Sequence, residues 1–153
     1  MRNPRPGLSL KTMPIAPDLI DAAVAERLLA AARGVAAHAY APYSKFRVGA
    51  ALLFDDGHVS TGCNVENASY GLTSCAERNA LFCAIGERGP ERRIVAIAVT
   101  NLNDAASPPC GACRQVMSEF VTPDAVVLFP GAAGIEAHPF SELMPFTFHL
   151  AQK

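Results

Sequence analysis

Leu19, Ala22, Ala23, Leu28, Leu29 and Ala32 recur at the spacing of one helical face, which predicts an amphipathic helix over residues 18–39 that covers one face of a sheet. Ala41-Pro42-Tyr43-Ser44 interrupts it. The run from Phe46 to Phe54 is apolar and partly alternating, Asp55-Asp56-Gly57 follows, and His58 to Val65 resumes, the pattern of two strands joined by a tight turn. Residues 75–87 contain no proline and read as a second helix, stopped by Gly86, Gly89 and Pro90. Ile94 to Thr100, built of β-branched residues and alanine, suits a strand buried on both faces. Pro108-Pro109 precedes a helical spacing over Cys110 to Phe120, and Val126 to Phe129 is a further short buried strand. A fifth strand is expected near Ile135 to His138 and a last helical turn at Ser141 to Leu143. Strand pair, helix, strand, helix, strand implies the α/β class, a three-layer α/β/α sandwich around a mixed, roughly five-stranded sheet. No internal repeat interrupts residues 18–153, which are expected to form a single domain behind an N-terminal extension of residues 1–17.

Composition narrows the partners. At 153 residues, 50 % hydrophobic and 18 % charged, the chain is long enough for one well-filled core. A net charge of -1 with scattered basic residues gives no grip on a polyanionic backbone, so nucleic acid is not an expected partner and a small neutral or weakly charged substrate is. The first seventeen residues hold four prolines and lack the apolar stretch of a signal peptide or membrane span, so a cytoplasmic location without membrane attachment is expected. Five cysteines, two of them in a C-x-x-C, favour metal or redox use over a disulfide framework.

The candidate chemistry lies in Cys75-Ala76-Glu77 and Pro109-Cys110-Gly111-Ala112-Cys113. Cys75 opens one predicted helix; Cys110 and Cys113 open another and stand one turn apart on one face. Helix N-termini favour thiolate over thiol, the form a metal needs. Three protein ligands on Zn²⁺ leave a fourth position for water, the arrangement of a catalytic site. Two alternatives compete with it, a redox C-x-x-C and a closed structural site with a fourth thiolate. Cys83, eight residues beyond Cys75, sits about 12 Å along a continuous helix and is out of reach. Cys63 is not excluded by spacing, although an unbound cysteine is commonly a small buried hydrophobe. Glu77 is the candidate for proton transfer, against the plainer role of a glutamate interacting with a helix dipole. Burial and thiolates favour its neutral form, while the helix end and a cation favour the carboxylate.

These motifs, together with Tyr43-Ser44-Lys45-Phe46-Arg47-Val48-Gly49-Ala50-Ala51-Leu52, Gly62-Cys63-Asn64-Val65-Glu66-Asn67-Ala68-Ser69-Tyr70, Cys75-Ala76-Glu77-Arg78 and Pro109-Cys110-Gly111-Ala112-Cys113-Arg114-Gln115, resemble the zinc-dependent cytidine deaminases of the small homotetrameric nucleoside type. The likeness runs from about residue 20 to residue 148. It implies one Zn²⁺ per subunit on Cys75, Cys110 and Cys113, and hydrolytic deamination of cytidine and 2'-deoxycytidine at C4, with Glu77 carrying protons to ring N3 and to the departing ammonia. Cysteine at the position where nucleic-acid-editing relatives carry histidine goes with free nucleoside substrates. The resemblance further implies that Arg78 hydrogen-bonds to ligand sulfurs. Phe46 would pack on the pyrimidine, and the backbone at Ala76 would bind the base edge. Asn64 and Glu66, two apart on a strand and so on one face, would bind the ribose 3'-hydroxyl. Tyr70 and Phe148 would complete a neighbouring subunit's pocket. Arg114 follows a ligand motif directly and reads equally as functional or as part of a solvated helix face. The chain departs from the family pattern twice. Phe146 occupies a usually small position, which leaves open whether it or Phe148 closes the pocket. Asn79 replaces a common threonine, a change expected to be silent. A modified cytosine nucleoside such as blasticidin S is the alternative substrate, and a structural zinc module the alternative class.

Overall fold

The structure is a computed structural model that describes residues 18–150; the expected extension over residues 1–17 lies outside the described residues. Helix α1 spans Ala22–Ala36, strands β1 and β2 span Val48–Phe54 and Val59–Cys63, and helix α2 spans Ala76–Arg88. Strand β3 (Ile94–Asn101), helix α3 (Gly111–Ser118), strands β4 (Val121–Pro130) and β5 (Ile135–Pro139) and the short helix α4 (Phe140–Leu143) complete the order. The five strands form one mixed sheet in the order β2-β1-β3-β4-β5, antiparallel throughout except for the β3 and β4 pair.

Side-chain alternation divides the core into two. Ala50, Leu52 and Phe54 of β1, Ile97 and Val99 of β3 and Val127 and Phe129 of β4 meet Leu81 of α2, Met117 of α3 and Phe140 of α4. Their neighbours Ala51, Ala96, Ala98 and Leu128 turn to Ala25, Leu28, Leu29 and Ala32 of α1. Helices thus cover both faces, and the expected three-layer α/β/α sandwich is what the chain builds. Ile94, two residues before Ala96, nevertheless faces the other way. Leu53 pairs with Ala96 and Phe54 with Ile94, so Val95 is an extra residue in β3 and reverses the alternation.

Element ends differ from the hydrophobic pattern where polar residues carry them. Helix α1 begins at Ala22 because Asp21 accepts a hydrogen bond from Val24 N at 3.1 Å and so caps it. Strand β4 starts at Val121, five residues ahead of the apolar run, since Val121 pairs with Ile94 before the register shifts to Ala96 and Val126. Pro123 and Asp124 lie in the exposed stretch between. A 3-10 turn at Tyr70–Leu72 left no pattern in the sequence.

Two strand glycines set how closely the helices approach. A Cβ on Gly49 would lie 1.9 Å from the Ala32 carbonyl oxygen of α1, and one on Gly62 would lie 2.4 Å from Ala80 N and 2.6 Å from Ala76 O of α2. Backbone atoms cannot give way at those distances. Gly62→Ala is therefore expected to push α2 off the sheet and cost about 1–3 kcal/mol or more, read as a lower urea midpoint with an unchanged slope. Zinc affinity should fall with it, since α2 begins beside Cys75.

Candidate active site

Topology brings the distant cysteines together. Strands β2 and β3 flank β1 and are each antiparallel to it, so they run parallel to one another, with α2 as their crossover; α3 likewise connects the parallel pair β3 and β4. Both helices pack in the same layer, and each starts beyond the carboxyl end of its preceding strand. Their N-termini therefore converge at one edge of the sheet, where open α/β sheets bind ligands. Cys75 is the N-cap of α2, with φ -76° and ψ 155°; Cys110 is the N-cap of α3, with φ -68° and ψ 162°; Cys113 lies fully buried in the first turn of α3.

The sulfurs fit a tetrahedral cation. Cys75 Sγ and Cys110 Sγ are 3.8 Å apart and all three sulfurs lie within 4.8 Å of one another. Ligands at about 2.3 Å from a tetrahedral Zn²⁺ stand about 3.8 Å apart, whereas a disulfide needs about 2.0 Å. Neither Cys63 nor Cys83 joins this group among the described residues. Helix α2 runs unbroken past Cys83, whose thiol instead meets Glu87 at 3.4 Å.

Electrostatics favour thiolate at Cys75. Hydrogen bonding from the Cys113 thiol, with help from Arg78 and Cys110, outweighs burial and pulls the Cys75 pKa down to about 5. Cys113 is pushed well above its usual value by Cys75, by burial and by Glu77. Cys75 and Cys113 so share a proton between them, which a dication would displace. Arg78 donates from Nη2 to Cys75 Sγ and to the Thr73 carbonyl, both at 3.5 Å. Its guanidinium is held charged chiefly by Cys75. It places a positive charge against a sulfur of the trio.

Glu77 sits in the first turn of α2 and is only 4 % exposed. Burial pushes its carboxyl up to about 7, the negative Cys75 adds to this, and its own backbone N–H, the Cys113 thiol and Arg78 oppose it. A carboxyl balanced near neutrality can both accept and return a proton. Ala76 is buried at the first helical position, where backbone N–H groups have no intrahelical partner.

Asn64 and Glu66 both turn to the segment that carries Phe46. Asn64 Oδ1 accepts from Val48 N at 2.8 Å and its Nδ2 donates to the Phe46 carbonyl at 2.9 Å. The Glu66 carboxylate accepts from Tyr43 N at 2.9 Å, from Ser44 N at 3.2 Å and from the Ser44 hydroxyl, which holds its pKa below the usual range. Ser44 Oγ in turn accepts from Phe46 N at 3.0 Å. Lys45, at φ 59°, makes the turn just before the half-buried Phe46. Beside them an open cleft of ≈ 390 Å³ is lined by Tyr43, Ser44, Glu66, Asn67, Tyr70 and Thr73, with the Tyr43 and Tyr70 rings edge to face at 6.4 Å. Tyr70 is 80 % exposed, Phe146 93 % and Phe148 65 %. The Phe148 carbonyl accepts from Gln115 Nε2 at 3.1 Å.

Arg114, which the sequence left open between a functional role and a solvated helix face, is engaged internally: Nε donates to Pro109 O at 2.7 Å and Nη1 to Leu143 O at 3.1 Å, which fixes the turn before Cys110. Asn101 shapes the site without having left a chemical signal in the sequence. Asn101, 1 % exposed, donates to Ala105 O and Ser107 Oγ and accepts from Asn103 N and Ala105 N, shaping the loop that leads to Cys110. An asparagine in a loop suggests such turns, but its partners are not legible from spacing.

Comparison with known proteins follows the same residues. Positions 23–129 match the family model of the cytidine and deoxycytidylate deaminase zinc-binding region. A cytidine deaminase of Halalkalibacterium halodurans is 54 % identical over 111 residues, covering 72 % of this chain and 83 % of the relative. One from Sporosarcina psychrophila is 43 % identical over 124 residues, covering 80 % and 90 %. The crystal structure of cytidine deaminase from Burkholderia pseudomallei superposes with a TM-score of 0.73 at 45 % identity, over 80 % of this chain and 98 % of that one. That from Mycobacterium tuberculosis gives 0.71 at 42 % identity, over 82 % and 97 %.

Proposed function

This chain belongs to the cytidine and deoxycytidylate deaminase family, and on that basis we propose that it hydrolyses cytidine and 2'-deoxycytidine to uridine and 2'-deoxyuridine, releasing ammonia, in pyrimidine salvage. The observation that carries the reading is the sulfur trio at two converging helix ends with the buried Glu77 carboxyl two residues from Cys75. Cys75, Cys110 and Cys113 hold zinc, which when bound acts as a Lewis acid that lets water ionise near neutral pH. Glu77 takes one proton from the attacking water and delivers it to ring N3, then takes the remaining proton from the new C4 hydroxyl and gives it to the amino group, which leaves as ammonia as the C–N bond breaks and the C4 carbonyl forms. Arg78 offsets thiolate charge. The Ala76 N–H receives the polar edge of the base, Phe46 covers its ring, and Asn64 and Glu66 bind the sugar 3'-hydroxyl. A substrate that leaves the buried Ala76 N–H without a partner binds more weakly, which helps the site tell cytosine from look-alikes.

Residues 18–153 act as a single catalytic domain in this reading, set in the cytoplasm. The assembly is a homotetramer in which Tyr70 and Phe148, or Phe146 in its place, enter a neighbour's active site. The large exposure of these aromatic rings supports that, since such surface is usually covered by a partner. The test pairs zinc per chain with the ultraviolet absorbance loss on cytidine. Stoichiometric zinc and steady conversion to uridine are expected. A zinc-loaded chain inert toward cytidine would overturn the reading, and ammonia from blasticidin S instead would move it to a modified nucleoside.

A further inference from the structure

Asn79 joins the two segments that carry the proposed chemistry. Its Oδ1 accepts from Ser74 Oγ at 2.6 Å, and its Nδ2 donates to the Cys63 carbonyl at 2.8 Å. Ser74 directly precedes the metal ligand Cys75, and Cys63 directly precedes Asn64. One planar amide thus spans from the start of α2 to the strand end that leads to Asn64 and Glu66. The backbone ties the same two segments once more, with Val65 N donating to Ser74 O at 3.0 Å and Ser74 N to Val65 O at 2.9 Å. Asn79 is itself anchored in the first turn of α2, its N–H donating to Cys75 O at 3.1 Å. Both amide groups are therefore committed to a fixed frame.

Resting on the deamination reading, we propose that Asn79 is a positioning residue that sets the spacing between the sugar-binding segment Asn64–Glu66 and the metal-bearing start of α2. It acts through Ser74 and Cys63. A nucleoside bridges those two segments, so sugar contacts help the base react only if the distance between them is held. Binding energy from a remote part of a substrate is spent on orienting the reacting part, and a misplacement of about 1 Å can cost about 10²-fold in rate. The replacement of threonine by asparagine is then not silent. The longer amide reaches Cys63 O while keeping Ser74.

The experiment compares the parent chain with Asn79→Ala and Asn79→Asp, using cytidine and 1-methylcytosine, which keeps the base and lacks the sugar. The aspartate is isosteric and keeps the acceptor for Ser74, yet sets a carboxylate against the Cys63 carbonyl, so it separates the Cys63 link from simple loss of volume. Zinc per chain should stay at the parent level in both variants. The ratio of kcat/KM for cytidine to that for 1-methylcytosine should fall about tenfold in each, within the loss a small misplacement causes. By calorimetry, uridine should bind more weakly while 1-methyluracil binds as before. Equal losses on both substrates, or no loss on either, overturn the positioning role while deamination stands. A parent chain that neither deaminates cytidine nor binds uridine sinks the deamination reading itself, and this inference with it.

Discussion

Glu77→Gln is expected to give a folded, zinc-loaded protein that deaminates cytidine about 10²–10⁴-fold more slowly than the parent chain, the range a single positioned acid and base supplies. The substitution preserves shape and burial but removes the carboxyl assigned to proton transfer. Glutamine cannot accept the proton of water. Its stability effect has a definite sign. A carboxyl whose pKa is raised from 4.5 to about 7 by burial contributes stability below pH 4.5 and loses it as pH rises through 7. An amide has no such loss, so with zinc removed from both proteins the variant should melt no lower than the parent at pH 8. Steady-state kinetics, metal analysis and a thermal melt on one preparation decide it. Near-parental turnover in a zinc-loaded variant would remove Glu77 from the chemistry.

Cys113→Ser is expected to abolish both zinc retention and activity, with metal content near background after dialysis. Cys113 has no exposed surface and packs with Met117 and Ala76. A hydroxyl in its place is a poor ligand for zinc, which takes thiolate, imidazole or carboxylate donors. Loss of the cation leaves Arg78, at 3.5 Å, to balance the Cys75 thiolate. The same logic fixes the pH response of the parent chain. Cys75 is depressed to about 5 while its partner Cys113 is pushed up, so the pH dependence of the metal-free chain belongs to the pair and not to Cys75 alone. Zinc should dissociate as pH falls, because protons and metal compete for the same sulfurs. Stoichiometric zinc in Cys113→Ser would place the metal elsewhere.

Much of this was legible in the chain itself. Alternation in β1 and β3 and the helical spacing of Leu28, Leu29 and Ala32 depend on local geometry alone, and that geometry repeats with a fixed period. The cysteine pattern was readable for the same reason: Cys110 and Cys113 are one helical turn apart wherever the helix goes. Residues 121–125 and the 3-10 turn at Tyr70–Leu72 were not legible, because exposed or aperiodic segments leave no hydrophobic signature.

The sequence by itself determined the two-faced strands, the helices, and the identities of three sulfurs and one carboxyl, since each follows from neighbours a few positions away. Only the tertiary structure decided that Cys75 comes within 3.8 Å of Cys110 across 35 residues, and that Glu77 loses its water. It also decided that Asn79, Arg114 and Asn101 spend their polar groups on particular carbonyls. Such contacts depend on how parallel crossovers stack two helix ends at one sheet edge, and on Gly62, which admits α2 to backbone contact, a long-range packing result that no local period encodes.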